Sequence, residues 1–380
     1  MSITFFSRQQ ELDRLRFRAF VDRVVCPAAS VIDREEHTPE EIIQAMGGEA
    51  FLGALAPTSV GGAGMDWVTF GILNEELGRG CSSLRSLVTV HSMVIGGLTR
   101  WGTDHQKRSF LEPLARGRML GAFALTEDTA GSDASAIVAQ AVPVSGGFVL
   151  RGSKRWITYG QRADLFLVFA KVEGQNTAFL VRADSAGLRR TKVRGLLGLR
   201  GSMAADLDFE DCFVPSEQKL GGVAFGNSLV ASSCLEYGRY SVAWGCVGVA
   251  QACFEASLAY AKERCQFGKT LDQFQLVRRM LSDMRTNVHA ARLMCLHAGA
   301  LKDAGNLALV EISMAKYFSS VGLVRSANDA VQIHGAHGCG ESYPVQRYLR
   351  DAKVMEIIEG STQIHQLSIG VSPGGEATSP

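Results

Sequence analysis

Apolar residues recur at helical spacing through the first third of the chain. Those between positions 17 and 24 share one face of a helix, and a second set at 72–77 follows the same period. This spacing predicts a helical domain over residues 1–118. Glu75 and Glu76, which fall within the second set, are expected to be solvent-exposed charges on the outer face of their helix.

The pattern changes near position 120, where short runs of alternating apolar and polar residues begin. These runs lie at 147–150, 165–170, 178–181 and 205–209, and clusters of Gly, Asp and Ser separate them. Helical spacing returns near Phe225 and continues to Gly370. Helices followed by strands and again by helices predict an α+β fold rather than alternating βαβ units. The predicted domains are an N-terminal helical domain at 1–118, a middle β domain at 119–222, a C-terminal helical bundle at 223–371 and a disordered tail at 372–380.

Composition narrows the class of protein. Hydrophobic residues make up 46% of the 380 residues, which suits a globular enzyme, and a net charge of +1 argues against a nucleic-acid or anionic-membrane partner. Nine cysteines are scattered singly without a C-x-x-C pair, which indicates reduced thiols and a cytoplasmic protein. The sequence has no signal-peptide pattern and no unbroken apolar stretch of about 18 residues, so no membrane span is expected. No G-x-G-x-x-G motif opens a helix after a strand, so a nicotinamide-type Rossmann site is unsupported.

The segment Asp351–Gln366 contains the residue that most needs an explanation. It reads DAKVMEIIEGSTQIHQ, and Glu359 lies within its apolar run. A carboxylate in apolar surroundings is costly unless it is paired or neutral, and such groups are frequent at functional sites. Gly360 beside it permits a bend or the close approach of a flat ligand. From this segment alone, a helix end with a C-cap glycine is the more ordinary interpretation.

Two segments of the middle domain offer groups that suit a heteroaromatic ligand. In FALTEDTAGSD, Thr126 and Ser132 supply hydroxyls and Gly131 a flexible backbone, which together could hydrogen-bond a ring edge or a phosphate. In KRWIT, strand alternation predicts that Trp156 and Thr158 share one face, a flat ring beside a hydroxyl. Taken singly, the first segment is also an ordinary Asx/Ser turn and the second an ordinary core tryptophan.

Two segments of the last third carry arginine and histidine side chains. In RCQFGKTLDQFQ, Arg264 could hold a pyrophosphate through its guanidinium, and Gly268 would let the backbone approach. The alternative is a turn between two helices with surface charge. In QIHGAHGC, His334 and His337 lie three residues apart, but no nearby cysteine or carboxylate completes a ligand set, so no metal is predicted.

In this order and with these gaps, the segments resemble the acyl-CoA dehydrogenase family. The resemblance covers about residues 10–370 and rests on motifs that occur jointly. They are P-x-x-x-G-G-x-G at 57–64, L-T-E-x-x-x-G-S-D at 125–133, W-I-T at 156–158, G-L-R-G-S at 198–202 with D-F-E-D-C-F-V-P at 208–215, R-x-Q-F-G at 264–268, and R-D-A-K with E-G-S-T-Q-I between 350 and 364. The resemblance implies an N-terminal helical domain, a middle β-barrel domain and a C-terminal four-helix bundle. It also implies FAD between the last two domains, a homodimer or homotetramer, an acyl thioester substrate and an electron acceptor such as an electron-transfer flavoprotein.

The same resemblance assigns residues to the cofactor. Those expected to line the flavin and its linkage are Phe123, Leu125, Thr126, Gly131 and Ser132, with Trp156, Ile157 and Thr158 on the other side of the ring. Those matching the ribityl-pyrophosphate region are Ser361 and Gln363. Those matching residues that reach the cofactor of the neighbouring subunit are Arg264, Phe267, Gln332 and Gly335, and Gln275 is included as a further cofactor-binding residue.

Glu359 matches the catalytic base of the family, and Arg239 matches a residue that organises the pocket. The chemistry agrees, because a thioester carbonyl acidifies the α-hydrogen and a carboxylate in a dry apolar pocket is a stronger base. A subset of the family carries its base at the position that is Gly238 here, which has no side chain to serve. Glu236, two residues earlier, is not expected to be the base.

Departures from the usual motifs narrow the range of expected substrates. Ala336 and Cys339 replace a glycine and an aromatic residue, and other segments resemble a smaller branch of the family. That branch comprises the flavin dehydrogenases that help make hydroxymalonyl or methoxymalonyl extender units on an acyl carrier protein for polyketide biosynthesis. The bulky Tyr237, Tyr240 and Trp244 would suit a short acyl group if they face the pocket.

The sequence therefore predicts a FAD-dependent dehydrogenase of a short acyl thioester. The expected substrate is a three-carbon hydroxyacyl group, glyceryl or hydroxymalonyl semialdehyde, on an acyl carrier protein. Oxidation of the alcohol, oxidation of the aldehyde and simple desaturation all stay open. The alternatives are a conventional short-chain acyl-CoA dehydrogenase acting on free acyl-CoA, a flavin monooxygenase or oxidase on the same fold, and a non-catalytic thioester-binding scaffold.

Overall fold

Helices form the first third of the chain in the computed structural model, which describes residues 6–370. They are α1 (Arg8–Phe20), α2 (Cys26–Glu35), α3 (Glu40–Gly48), α4 (Trp67–Gly80), α5 (Ser82–Trp101), α6 (Asp104–Gln106) and α7 (Glu112–Ala115), with π-helical turns at Val21–Val25 and Lys107–Leu111 and a 3-10 turn at Thr58–Val60. Side chains cap three of them, because Ser7 Oγ accepts from the Gln10 amide at α1, Asp66 Oδ1 from the Thr69 amide at α4 and Thr103 Oγ1 from the Gln106 amide at α6. The predicted tail at 372–380 lies outside the described residues.

A mixed sheet of eight strands forms the middle of the chain. The strands are β1 (Gly121–Ala124), β2 (Gln140–Val144), β3 (Gly147–Ile157), β4 (Leu165–Val172), β5 (Gln175–Arg182), β6 (Leu188–Lys192), β7 (Ala205–Pro215) and β8 (Lys219–Leu220), with 3-10 turns at Ala134–Ala136, Arg200–Ser202 and Ser216–Gln218. Their order is β6-β7-β3-β2-β4-β5-β8, and β1 pairs in parallel with β4. Strand β4 is buried on both faces, because one core cluster lies between the sheet and α5 and another lies on the opposite face.

A bundle of long helices forms the last part of the chain. Its elements are α8 (Ser232–Glu263) after a π-helical turn at Gly226–Ala231, the short hairpin β9 (Cys265–Gln266) and β10 (Lys269–Thr270), a 3-10 turn at Leu271–Gln273, α9 (Gln275–Asp303), α10 (Leu309–His334), a 3-10 turn at Gly335–Cys339, α11 (Val345–Ile357) and α12 (Thr362–Gly370). The predicted order of helices, strands and helices is confirmed.

Helix α8 lies at the centre of the bundle and packs against α4, α5, α9 and α10. Helices α4 and α8 approach backbone to backbone, since a side chain at Gly78 would meet the carbonyl of Gly245 at 2.6 Å. The segment Gly226–Glu263 is long and apolar enough by length and composition to cross a membrane, which the sequence reasoning did not anticipate. Because 67% of its most apolar window is buried inside the fold, we interpret it as a core helix. A cytoplasmic location stays a prediction.

The prediction for Glu75 and Glu76 was wrong, because both side chains are buried. Glu75 accepts hydrogen bonds from Nε and Nη2 of Arg292 on α9, with Nη2 at 2.6 Å, and Glu76 accepts from Arg18 and Arg79 at 3.3 and 2.8 Å. These pairs tie α4 to α1 and α9. The charges are buried because each one has a cationic partner.

Candidate active site

The turn that ends α11 carries Glu359 and is held by two other helices. Both Glu359 and Gly360 have left-handed backbones, with φ of 56° and 98°, which is uncommon for a glutamate. From α10, Lys316 Nζ donates to the carbonyls of Glu356 at 3.2 Å and Gly360 at 2.7 Å. From α8, Arg239 Nε donates to the carbonyl of Glu359 at 3.3 Å. A strained conformation of this kind persists only where the surroundings fix it, as these donors do.

The carboxylate of Glu359 is placed against α8 where that helix has no side chain. A Cβ at Gly238 would lie 2.7 Å from Cδ of Glu359 and 3.0 Å from Sδ of Met93. Oε2 of Glu359 is buried and has no hydrogen-bond partner among residues 6–370. A side chain at position 238 would therefore collide with the carboxylate of Glu359, and glycine avoids that collision.

Burial raises the pKa of Glu359 above its usual range, and three cations oppose that effect. Arg239 lowers the pKa most, followed by Arg85 and Lys316. Burial in turn lowers the pKa of Lys316 to about 8. A carboxylate in this environment is a stronger base than one in water and still ionises, because the cations stabilise its charge.

Glu236 lies on α8, two residues before Gly238, and it is buried but paired with a cation. Its Oε1 accepts from Lys302 Nζ at 2.7 Å, and this ammonium lies 5.0 Å from the ring centroid of Trp67. The pairing agrees with the prediction that Glu236 is not the base.

A second group of predicted residues meets where the loop after β1 contacts the end of β3. Lys154 Nζ donates to the carbonyl of Leu125 at 3.1 Å and to Oε1 of Glu127 at 2.6 Å, and both charged side chains are buried. Glu127 also accepts from the amides of Val138 and Ala139. This buried pair fastens the loop to the strand. Sequence reasoning missed it, although the glutamate lies inside the L-T-E motif.

Trp156 is exposed and Thr158 half-buried on either side of the buried Ile157, but a bulge interrupts the strand on which their alternation was predicted. The pairing of β3 with β7 shifts register between Lys154 and Ile157, and Trp156 adopts φ of 55° while its amide donates to Asp206 Oδ1 at 3.0 Å. This bulge leaves the indole 54% exposed, so it is not a core tryptophan.

The remaining residues of this group differ in their exposure. The side chains of Leu125 and Ile157 are buried in the core, so only their backbone groups could contact a ligand. Phe123 is half-buried and packs against Phe169, with ring centroids 5.1 Å apart. Thr126 is half-buried and accepts the Arg155 amide at its carbonyl, 2.9 Å away. A half-exposed indole beside a polar loop fits a flat heteroaromatic ring such as a flavin. Gly131 and Ser132 are exposed on that loop, and a Cβ at Gly131 would meet nothing within 4 Å.

Two predicted residues follow the base directly. Ser361 directly precedes α12, its Oγ lies 3.5 Å from the amide of Ile364, and Gln363 is exposed. His365, one turn on, is buried and faces Gly360 at 3.2 Å from a Cβ built there.

The third group of predicted residues lies at the opposite end of the bundle. Tyr260 of α8 stacks on His334 of α10 at 4.3 Å and contacts Nδ1 of His337 at 2.8 Å, which brings together the ends of both helices. The exposed residues there are Arg264, Phe267, Gln275, Gln332 and Gly335. Continuous α8 separates Gly238 from Arg264 by about 38 Å. One chain therefore does not bring this group to Glu359.

Two of the three aromatic residues expected to fill acyl space face elsewhere. Tyr240 Oη donates to the carbonyl of Trp67 at 2.9 Å, and Trp244 packs on Gly71, so both belong to the core between α8 and α4. Tyr237 instead packs on Gly96 of α5. The prediction that Tyr240 and Trp244 limit the acyl group was wrong.

Nearly the whole chain matches the domains of one protein family. Acyl-CoA dehydrogenase N-terminal, middle and C-terminal domains match residues 7–118, 122–212 and 228–372. The chain is 37% identical over 371 residues to a probable acyl-CoA dehydrogenase, YngJ, of Bacillus subtilis, covering 96% of this chain and 97% of that protein. It is 36% identical to a short-chain specific acyl-CoA dehydrogenase of Clostridium acetobutylicum, covering 96% and 97%.

Solved structures also superpose on nearly the whole chain. A chain from a study of the electron transferring flavoprotein of Acidaminococcus fermentans superposes with a TM-score of 0.94 at 33% identity, covering 97% of this chain and 98% of that one. A glutaryl-CoA dehydrogenase from Mycobacterium smegmatis in complex with FADH2 gives 0.94 at 28%, covering 99% and 97%. The prolyl acyl carrier protein oxidase AnaB gives 0.91 at 28%, covering 96% and 98%.

Proposed function

The chain belongs to the acyl-CoA dehydrogenase family, and we propose that it oxidises a short acyl thioester with Glu359 as the base. The observation that carries this proposal is the buried, unpartnered Oε2 of Glu359 held in the space that Gly238 leaves open. Enzymes of this family are oxidoreductases acting on acyl thioesters, and their cofactor is FAD.

Each residue around the base has a separate task in this proposal. Glu359 accepts the α-proton of the thioester on Oε2, which has no competing hydrogen bond from residues 6–370. Arg239 and Lys316 hold the turn through backbone carbonyls, so the carboxylate keeps its position when its charge changes. Bound FAD would supply the acceptor for the hydride of the β-carbon.

The cofactor would be held by the exposed indole of Trp156 and the loop bearing Thr126 and Ser132, with Ser361 and Gln363 on the side of the base. The buried Lys154–Glu127 pair supports this site from beneath, because it fixes the loop against the strand that carries Trp156. We assign no cofactor contact to the side chains of Leu125 and Ile157, since the core buries them.

The residues at the far end of the bundle support an oligomer. Phe267 is 94% exposed at the tip of the β9–β10 hairpin, with φ of 51°, which is a poor arrangement for an aromatic ring in an isolated monomer. Arg264, at the start of the same hairpin, is also exposed. In a homodimer or homotetramer, this end of one chain would serve the cofactor of its partner, which explains the separation from Glu359.

The substrate would be a three-carbon hydroxyacyl group on an acyl carrier protein, used to build a polyketide extender unit. The similarity to AnaB, whose name describes oxidation of a carrier-bound group, supports a carrier protein. The higher identity to short-chain enzymes supports a second candidate, desaturation of free short acyl-CoA. An electron-transfer flavoprotein is the proposed electron acceptor, in keeping with the similarity to a chain from a study of such a flavoprotein.

The deciding experiment offers both substrate classes to the purified holoenzyme without oxygen. Glyceryl-acyl carrier protein, butyryl-CoA and isobutyryl-CoA are added separately, and flavin bleaching is followed together with product mass. Bleaching by the carrier-bound hydroxyacyl group alone would support the first candidate, and bleaching by free acyl-CoA would support the second. A flavin that none of them bleaches would overturn the proposed dehydrogenation.

A further inference from the structure

A cavity of about 520 Å³ lies between α2 and the segment that leads into α11. Its lining includes Cys26 and Asp33 of α2 together with Tyr343 and Arg347 of the other segment. Pockets that hold small molecules in proteins span about 300–1,000 Å³, so this cavity is large enough for a ligand of metabolite size. The charges and donors of its wall indicate the chemistry of that ligand.

The cavity is separate from the turn that carries the candidate base. Arg347 lies in the first turn of α11, and Ile357 ends that helix ten residues later, which corresponds to about 15 Å along its axis. Glu359 follows beyond that end. On its other side the cavity adjoins the far end of the bundle, where the ring centroids of Tyr343 and His334 are 5.2 Å apart. A ligand in the cavity would therefore not contact Glu359.

Arg347 is a buried cation in the wall of this cavity. The residue is 8% exposed, so the protein shields most of its side chain from bulk water. Nη1 is buried and has no acceptor among residues 6–370, and Nη2 lies 3.5 Å from the carbonyl of Gly80, which is a long contact. Leaving the donors of a buried charged group unpaired is costly. Arg347 therefore needs an acceptor beyond those that residues 6–370 provide.

The carboxylates near Arg347 are engaged elsewhere or exposed. Asp33 accepts from both Nη1 and Nη2 of Arg350. Oδ1 of the buried Asp351, one turn after Arg347, accepts a backbone amide at 2.7 Å. Glu341 also lines the cavity but is exposed, and an exposed carboxylate contributes little to the energy of an ion pair. The guanidinium of Arg347 thus keeps unmet donors although acidic residues are close.

The rest of the wall suits an anion that carries several oxygens. Ser30, Ser342 and Tyr343 bring hydroxyl groups to the lining, and hydroxyls donate to anionic oxygens. Arg34 adds a second guanidinium at the exposed rim, where it also pairs with Glu35 at 3.2 Å. Guanidinium groups bind carboxylates and phosphates through paired N–H donors. A cationic ligand would instead be repelled by both arginines.

We propose that this cavity binds a small oxyanion, the phosphate or carboxylate group of a soluble ligand, with Arg347 as its main partner. The guanidinium donates to the anionic oxygens, and the hydroxyls of the wall and Arg34 add further donors. No covalent bond changes on binding. Because the site lies outside the thioester chemistry, it does not depend on the proposed function.

Calorimetry on the FAD-loaded enzyme tests the binding with inorganic phosphate and, separately, with citrate at constant ionic strength. At least one anion should bind the wild type, and Arg347→Met should weaken that binding about 10- to 100-fold, as expected for the loss of charged hydrogen bonds. Arg347→Lys keeps the charge and should retain part of the affinity. Arg162→Met, which removes an arginine that holds Glu40 outside the cavity, should leave the affinity unchanged. Binding of phosphate alone would assign a phosphate ligand, and binding of citrate alone a carboxylate ligand.

Cys26 provides a second measurement inside the cavity. Its thiol is exposed and lies 3.4 Å from a Cβ built on Gly80, the residue whose carbonyl Arg347 approaches. Iodoacetate and iodoacetamide are nearly equal in size, and only iodoacetate is negatively charged. The rate of Cys26 alkylation by iodoacetate, relative to iodoacetamide, should be about 10-fold higher in the wild type than in Arg347→Met, because a cationic wall concentrates anions. Mass spectrometry of the Cys26 peptide gives both rates, and an equal iodoacetamide rate in the two proteins shows that the thiol is equally accessible.

Three results would overturn the proposed site. They are failure of both anions to bind the wild-type holoenzyme, binding that Arg347→Met leaves unchanged, and an iodoacetate preference at Cys26 that is the same with and without Arg347. If Arg347→Met does not fold, protection of Cys26 in the wild type decides the question. Phosphate or citrate that slows alkylation of Cys26 by iodoacetamide would support the site, and alkylation at an unchanged rate with both anions would refute it.

Discussion

Glu359→Gln removes the proton acceptor of the candidate base while preserving its shape. The turn should survive, because Arg239 and Lys316 hold it through backbone carbonyls rather than through the side chain. The amide fills the same space against Gly238. The variant should therefore fold, bind FAD and bind substrate.

The magnitude follows from the environment of the carboxylate. A positioned general base typically contributes about 10²- to 10⁴-fold, or about 3–5 kcal/mol of activation free energy. The nearest buried glutamate on α8, Glu236, is paired with Lys302. Flavin reduction in the variant should thus slow by at least about 10²-fold.

Although flavin reduction slows in Glu359→Gln, the folding stability of this variant should not fall. Because burial raises the folded-state pKa of Glu359 above its unfolded value, the protonated form favours folding. That contribution is fully present below the unfolded pKa and is lost as the pH rises through the folded pKa. The glutamine is neutral at every pH, so at pH 7 the variant should melt at the same temperature as the wild type or higher.

The assay is anaerobic stopped-flow reduction of the flavin with saturating acyl thioester across a range of pH. In the wild type, the rate should rise with pH through the raised pKa of Glu359 and then level off, and in the glutamine variant this rise should be absent. Glu236→Gln is the matched control, and it should keep both the rise and most of the rate. Reduction of Glu359→Gln within threefold of wild type would refute the assignment of the base.

Four further variants test the parts around the base. Gly238→Ala should slow flavin reduction about 10-fold or more, because the new Cβ displaces the carboxylate of Glu359. Gly48→Ala is the control and should not slow it, since nothing lies within 4 Å of a Cβ at Gly48. Equal rates in the two variants would contradict the packing argument. Lys316→Met should slow reduction about 10-fold with normal FAD content, since the turn loses two charged hydrogen bonds, and an unchanged stopped-flow rate would count against this. Lys154→Met should lower the free energy of unfolding by about 3–5 kcal/mol in urea titrations, because it leaves the buried Glu127 without its cation. A loss below about 1 kcal/mol would disprove the importance of this pair. Arg264→Ala should weaken FAD retention on gel filtration, and full flavin occupancy would remove the assigned role.

Much of the architecture was determined by local sequence pattern. Periods of 3.6 and 2 residues depend only on which side of an element faces the core, so the change from helix to strand and back could be seen along the chain. Glu359 could be singled out for the same kind of reason, since a carboxylate inside an apolar run is rare without a function. Gly238 drew attention through the family resemblance.

Only the tertiary structure decided which polar side chains are paired and where they point. Glu75 was expected at the surface, but Arg292, 217 residues later in the chain, makes its burial possible. Trp156 was expected to follow strand alternation, and a bulge set by pairing with β7 turned it outward.

The segment at 81–86 drew attention only through the resemblance to the smaller branch, and it gave no sign of the partners of Arg85, because an arginine in a helix is ordinary until all of its neighbours are known. Nε and Nη2 of Arg85 are buried without an acceptor among residues 6–370, which appears only when α5, α8 and the turn bearing Glu359 pack together. Periodicity reports whether a position faces inward, whereas the partners of a buried charge come from elements distant in sequence, and only the folded chain brings them within hydrogen-bond distance.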